Sequence, residues 1–318
     1  MSQEKISLQL QHLEEEYNIN IFIAKDFGSK SWNVDTEKSD HDVGFVYLQP
    51  REHYVNIDNY RETIDRHIEF NGKEHTFQGW NLTRFLELYK KSNPTTIEFC
   101  ASNKTYRKDN EIEQAWNNLE ELAVQEFNPI ATYYHYRKLA KNQYRRYIEQ
   151  RVFDGVKDTS HRIVEKGEQN YRLEGEDGQW KLPKSSVDSK PIGSRYYLDR
   201  KEPTVKRYLY VLRAIMYQEY IRQTHAFPSL DLVEFIDQEL QQLDVPESNK
   251  EEFKSMIHLK KTDQADKKVG NPSGQFIDHK ISQTIDDEKH NTSGLPKEKV
   301  DQNVKQLLKN KENSESVY

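Results

Sequence analysis

Asp40 and Asp42 flank His41 at the mouth of an apolar segment, Val43 to Leu48, which Pro50 ends. The segment is rich in β-branched and aromatic residues, which predicts a strand, and strand alternation sends both carboxylates to one face and His41 to the other. Two carboxylates side by side repel each other unless a cation lies between them, and oxygen ligands at such short reach suit Mg²⁺ (or Mn²⁺). Upstream, Asn20 to Ala24 predicts a second strand, after which the chain turns at Gly28-Ser29 into a short helix beginning near Ser29. Glycine permits close backbone approach, and exposed amides at a helix start favour an anion such as a triphosphate. Phosphate on one side and metal-binding acids on the other describe phosphoryl or nucleotidyl transfer, in which metals activate the attacking oxygen and steady the leaving pyrophosphate. A calcium-binding or structural acidic loop is the alternative, and it leaves Gly28-Ser29 unexplained.

The order strand, Gly28-Ser29, short helix, Asp40-x-Asp42, strand resembles the signature of the DNA polymerase β nucleotidyltransferase superfamily. More narrowly, it resembles the superfamily's predicted nucleotidyltransferase family associated with RNA-repair ligases. Further matches are Gly79-Trp-Asn-Leu82 before a helix, Lys91-Ser-Asn-Pro-Thr-Thr-Ile-Glu98, His135-Tyr-Arg-Lys-Leu139 and Lys206-Arg-Tyr-Leu-Tyr-Val-Leu-Arg213. The resemblance implies an α+β fold: a small mixed β-sheet nucleotidyltransferase core backed by helices, followed by a mainly helical C-terminal region. It also implies Mg²⁺ and a nucleoside triphosphate as ligands, and leaves the acceptor open among an RNA end, a protein and a small molecule.

The nucleotide-binding set expected from the resemblance is Gly28, Ser29, Lys30, Ser39, Lys206 and Arg213, with Lys206 gripping the triphosphate. Arg213, seven residues on, projects from nearly the same helix face, as its partner or as a core-facing ion pair. Two positions depart from the family pattern. The third metal-binding acid is expected just before Gly79-Trp80, where Thr76 stands, and the residue after the tryptophan, commonly acidic, is Asn81. Glu69, in the strand pattern His67-Ile-Glu-Phe70, is the favoured replacement; Glu74 lies in Asn71-Gly-Lys-Glu74, which reads as a turn. The expected catalytic and metal set is therefore Asp40, Asp42 and Glu69. A chain without a third acid would bind nucleotide and metal while catalysing poorly, as a regulatory module does.

The 318 residues can hold two compact domains. Hydrophobic content of 34% is low and charge of 31% is high, so part of the chain is expected to stay unpacked. A single Cys excludes a disulfide framework. The N-terminus has no apolar signal region and no apolar run approaches the ~18 residues of a membrane span, so a soluble, cytoplasmic protein is expected. A net charge of −6 argues against a general nucleic-acid coat. Between Tyr133 and Arg151, however, cations and aromatics interleave on a predicted helix, either as a phosphate-following face or, the favoured reading, as a solvated helix whose tyrosines cover the core. Arg137 and Lys138 are further candidates for the triphosphate. The sequence sets no oligomeric state.

The expected organisation is a nucleotidyltransferase core over 1–105, a helical region over 106–153, a hairpin-like insertion over 154–201, a helical C-terminal region over 202–285 and a disordered tail over 286–318. Amphipathic helices are predicted at Ser7 to Glu16, Trp80 to Lys91, Glu111 to Phe127, Thr204 to Gln223 and Asp231 to Leu243. In the insertion, Tyr171-Arg-Leu173 and Gln179-Trp-Lys-Leu182 flank Gly175-Glu-Asp-Gly178, the pattern of a β-hairpin.

Overall fold

The computed structural model describes residues 2–36, 39–55, 60–70, 72–149, 151–175, 178–199, 203–269, 273–283 and 295–315. Its centre is a five-stranded mixed sheet of order β3-β4-β2-β1-β5. The strands are β1 (Asn20–Phe27), β2 (Asp42–Leu48), β3 (Thr63–Phe70), β4 (Lys73–Asn81) and β5 (Thr105–Lys108). β2 and β4 run parallel, in register Asp42↔Thr76 through Tyr47↔Asn81, and the other neighbours are antiparallel. The central strands are almost wholly buried, which explains why β2 reads as a continuous apolar run.

Helix α1 (Gln3–Tyr17) covers one face through Ile6, Leu10 and Leu13, which pack with Phe45, Tyr47 and Phe77. The other face carries α2 (Leu82–Lys90), α3 (Pro94–Ala101) and α4 (Glu113–Gln125), around Trp80, Phe85, Phe99 and Trp116. Trp80 belongs to β4, so α2 starts later than its apolar periodicity suggests. Asn81 is its N-cap: the fully buried side chain accepts from the Thr83 amide and donates to Gln49 and Tyr54. A carboxylate could cap the helix equally, but it could not donate to Gln49 and Tyr54 as the Asn81 amide does. Gly79 is fixed by crowding, because a Cβ there would lie 2.2 Å from the Phe45 ring.

A second core is helical. It joins α5 (Pro129–Tyr147) to α6 (Val205–Thr224), followed by α7 (Leu232–Glu234) with its π-turn extension Phe235–Glu239, α8 (Glu247–Lys261) and α9 (Gly274–Ser282). Tyr133, Tyr136 and Ala140 of α5 face into this core, so the tyrosines of the basic helix cover apolar surface. Between α5 and α6 lies a second sheet of order β10-β6-β7-β8-β9, wider than the single hairpin expected. Its strands are β6 (Arg151–Asp154), β7 (Thr159–Lys166), β8 (Asn170–Gly175), β9 (Gly178–Pro183) and β10 (Tyr196–Asp199), and β8 and β9 form the hairpin, with Tyr171 opposite Leu182.

The expectation of a disordered tail over 286–318 needs correction. Lys297–Glu315 forms α10, and Leu295, Val300 and Leu307 are buried in the core formed by α2, α3 and α4. Polar contacts from Asn303 to Asn118, Asn310 to the Glu111 carbonyl and Lys311 to Asp109 pin the same face. Three apolar residues, Leu295 ahead of the helix and Val300 and Leu307 within it, suffice because they pack on the face of α2, α3 and α4, so composition alone underrated the segment. Residues 286–294 and 316–318 of that expectation lie outside the described residues. Among the described residues no helix is long and apolar enough to cross a membrane. Leu307→Ala is expected to lower the unfolding free energy by about 2–5 kcal/mol, the loss for emptying a buried leucine site, measured by urea denaturation.

Candidate active site

The ends of β1 and β2 bring Gly28 and Asp42 together. Phe27 pairs with Asp42 across the ladder, and the chain then turns through the single 3-10 turn Gly28–Lys30. Gly28 has φ +73°, and a Cβ built on it would lie 2.5 Å from Asp42 Oδ2. Glycine is therefore required twice, for the left-handed conformation and for the passage of backbone against the carboxylate. Ser29 is buried, and its carbonyl accepts from the Val34 amide.

Asp40 precedes the strand and is exposed; Asp42 opens it and is half-buried. Burial raises the Asp42 pKa above its ordinary 3.8, and the neighbouring Asp40 charge raises it further, while Lys206 and a hydrogen bond from Thr76 act the other way. The two acids thus lie within mutual electrostatic reach, and Lys206 of α6 lies within reach of Asp42. Tyr210, one turn along α6 from Lys206, faces the same acids: burial, then Asp42, pushes its hydroxyl up to about 12. Its ring packs edge-on against Trp32, 5.4 Å between centroids.

The opposite face of these strand ends is polar and buried. His41 donates its backbone amide to His75 Nδ1 (2.9 Å), and its own Nδ1 lies 3.4 Å from the Tyr106 hydroxyl. Tyr106 in turn donates to Asp26. Burial, reinforced by the cationic Lys30, lowers the His41 pKa from 6.5 to about 3, so the ring is neutral where the acids are charged.

The remaining expected site residues have the following places. Lys30 pairs with Asp35 at 2.9 Å, and the Ser39 hydroxyl accepts from the Thr36 amide in the turn before Asp40. Arg213 takes the core-facing alternative, since it is buried, donates twice to Glu98 Oε1 at 3.2 Å and stacks 3.8 Å over the Trp32 ring. Arg137 is also buried, with a hydrogen bond to the Gln283 carbonyl.

Glu69 is not brought to the acids. It lies opposite Glu74 on β3, one strand beyond β4 and two residues past the His67↔Thr76 rung, and it is exposed. Glu69 does lie on a strand, but β3 is an outer strand and β4 is the parallel neighbour of β2. The place beside Asp42 is occupied by Thr76 itself. Among the described residues no three His, Cys, Asp or Glu side chains gather as a metal cluster. Asp40 and Asp42 nonetheless suit a hard divalent cation, being a pair of oxygen donors whose mutual repulsion already shifts the Asp42 pKa. A cavity of about 900 Å³ lies elsewhere, at the far end of β2 among Leu48, Leu86 and Val304, and it does not include the acids.

Sequence reasoning passed over Trp32, Glu98, Tyr136, His75, Tyr106 and Tyr210. Glu98 and Tyr136 lay inside the recognised motifs and lacked only an assigned partner: Tyr136 donates to Glu98 Oε1 at 2.6 Å and the Trp32 indole to Oε2 at 3.3 Å. His75 and Tyr106 gave no local signal, because their contacts cross between strands distant in sequence.

A parallel-paired strand bearing the second acid, a glycine turn pressed against it and a lysine-bearing helix facing both define a nucleotidyltransferase-like site of the polymerase β type. The comparisons narrow that class. Residues 2–310 match the model of RlaP, the RNA repair pathway DNA polymerase beta family, and the chain belongs to that family. It is 26% identical over 228 residues to the uncharacterized protein YcgL of Bacillus subtilis (strain 168), a match covering 72% of this chain and 66% of that protein, just under two thirds of its length. A solved structure of a nucleotidyltransferase-like protein from Exiguobacterium sibiricum 255-15, at 1.90 Å resolution, aligns over 85% of this chain and 72% of that one, with a TM-score of 0.29 and 11% identity.

Two outcomes test this geometry. Gly28→Ala is expected to destabilise the fold by about 1–2 kcal/mol from the left-handed backbone alone, and by more from displacing the Asp42 carboxylate, seen as a lowered melting temperature. For Asp42, a folded-state pKa above the unfolded value gives stability that is full below pH 3.8 and lost as pH rises through the raised value. Asp42→Asn removes that loss, so its melting temperature should exceed that of the wild type at neutral pH and the difference should shrink towards acid. An equal difference at all pH values contradicts the assignment.

Proposed function

We propose that the protein is a nucleotidyltransferase that moves a nucleoside monophosphate from a nucleoside triphosphate to a hydroxyl group, with an RNA end as the favoured acceptor. The apposition of Gly28 to Asp42, with Lys206 within electrostatic reach of Asp42, is the observation that carries the proposal. In this reaction the acceptor oxygen forms a bond to the α-phosphorus, the bond from that phosphorus to the bridging oxygen breaks, and pyrophosphate leaves with the electron pair. The acceptor's proton passes to solvent. Asp40 and Asp42 would hold Mg²⁺ (or Mn²⁺), which supplies Lewis-acid stabilisation of the charge that develops on phosphate. Gly28 and Ser29 let the triphosphate approach the backbone, and Lys206 offers its ammonium to the phosphate oxygens. Tyr210, held protonated, offers a neutral donor beside the acids. The RNA acceptor rests on the family's description as an RNA repair pathway family.

Thr76 beside Asp42 supports a second reading, a nucleotide-binding regulatory module with impaired catalysis, because a hydroxyl there adds no negative charge for a second metal. Incubation with each α-labelled nucleoside triphosphate and Mg²⁺ or Mn²⁺, with and without RNA bearing a free 3′-hydroxyl, separates the two. Label transfer that disappears in Asp42→Ala is the expected result. Binding without transfer, with transfer gained by Thr76→Asp, favours the module, and the absence of both binding and transfer overturns the assignment of the site.

A further inference from the structure

Lys260 occupies a position that its helix would otherwise fill with an apolar residue. In α8, Phe253, Met256 and Ile257 form the buried stripe, and Lys260 continues it at the next helical step, only 4% exposed. Such burial is strongly unfavourable for an ammonium unless it is paired. The other lysines buried to this degree are paired: Lys25 with Glu120 at 2.6 Å, Lys250 with Glu247 at 3.5 Å and Lys311 with Asp109. Lys260 makes no hydrogen bond or ion pair among the described residues.

Its surroundings explain what it awaits. The loop after α8 is laced to the start of α6: the Lys206 amide donates to the Ala265 carbonyl and the Val205 amide to Lys267 (both 2.9 Å), while Val269 donates to Pro203 (3.0 Å). The lacing brings the end of α8 beside Lys206, so the two ammonium groups repel, with Asp35, Asp266 and Asp40 as the acids within electrostatic reach. Burial and then the Lys206 charge lower the Lys260 pKa. Two like charges held within electrostatic reach, neither of them in an ion pair with a described residue, form half of an anion site.

We propose that Lys260 and Lys206 form a two-lysine subsite for the phosphate chain of a nucleoside triphosphate, with Lys260 a buried binding residue that takes its counterion from the ligand. The subsite rests on the nucleotidyltransferase reading above, and it extends the nucleotide contacts from α6 to α8. The lacing of residues 203–206 to 265–269 is then the device that sets the spacing between the two cations. Lys260→Met keeps the stem's volume and removes the charge, whereas Lys260→Arg keeps the charge.

The test is calorimetric titration of the full-length protein with inorganic tripolyphosphate, ATP and a short single-stranded RNA, together with melting curves without ligand. Lys260→Met should weaken tripolyphosphate and ATP binding by roughly tenfold or more, the loss of one charge-assisted contact. It should also melt no lower than the wild type, because the repulsion between Lys206 and Lys260 has been removed, and Lys260→Arg should restore most of the affinity. Unchanged tripolyphosphate binding in a folded Lys260→Met protein overturns the subsite while leaving the nucleotidyltransferase reading intact. Loss of RNA binding alone overturns it in favour of an acceptor contact. A wild-type protein that binds neither tripolyphosphate nor ATP overturns the nucleotide reading itself.

Discussion

The buried carboxylate of Glu98 is the constraint on which the site depends. Its Oε1 accepts from Tyr136 and twice from Arg213, and its Oε2 accepts from the Trp32 indole. Those donors come from α5, α6 and the segment just after the Gly28-Ser29 turn, so one charge on α3 joins the sheet layer to the helical core. A buried ion pair gains little net stability over well-packed apolar residues, yet breaking one half of it is severely destabilising. Its structural consequence is registration. With Arg213 fixed, Lys206 is set two turns back along α6, and Tyr210 between them, so the geometry at Glu98 determines which side chains face Asp40 and Asp42.

The sheet supplies the complementary constraint from below. Parallel pairing of β2 with β4 aligns Asp42 with Thr76, and the Thr76 amide donates to the His41 carbonyl at 2.9 Å. On the reverse face His41, His75, Tyr106 and Asp26 satisfy one another, so the short segment carrying the acids is anchored through the alternate residue. A strand needs this two-sided arrangement if its exposed side is to hold like charges close together: the repulsion between Asp40 and Asp42 is resisted by hydrogen bonds made by the residue between them.

Much of this was legible in the sequence, and the boundary has physical causes. The strand β2, the glycine turn and the face assignment of Asp42 and His41 followed from local periodicity and backbone preference, which act over a few residues. The separated motifs were recognisable, but their common purpose was not, since Glu98, Tyr136 and Arg213 meet only through tertiary packing. Arg213 shows the limit well: seven-residue spacing from Lys206 placed both on one helix stripe, yet one end of that stripe faces the acids and the other is in the core. Glu69 shows another limit, because alternation gives a face but not the order of strands in a sheet. The C-terminal segment was hidden by composition, its three buried apolar residues, two of them in α10, being diluted among charges that face water.

The charges around Asp42 are arranged in two groups that are each unfavourable alone. Asp40 and Asp42 raise each other's energy on the sheet side, and Lys206 and Lys260 do so on the helical side. The two groups attract across the gap without closing it: Lys206 lowers the Asp42 pKa, yet no ion pair within contact distance joins the described members of the two groups. Had the side chains collapsed onto one another, the site would be neutral and filled. What holds them apart is the rigid frame of Glu98 above and the strand ends below. A ligand that brings a divalent cation to the acids and a phosphate chain to the lysines relieves both repulsions together, whereas either ion alone relieves one. Under the proposed function, the spacing of these like charges is what a metal–polyphosphate pair would complement.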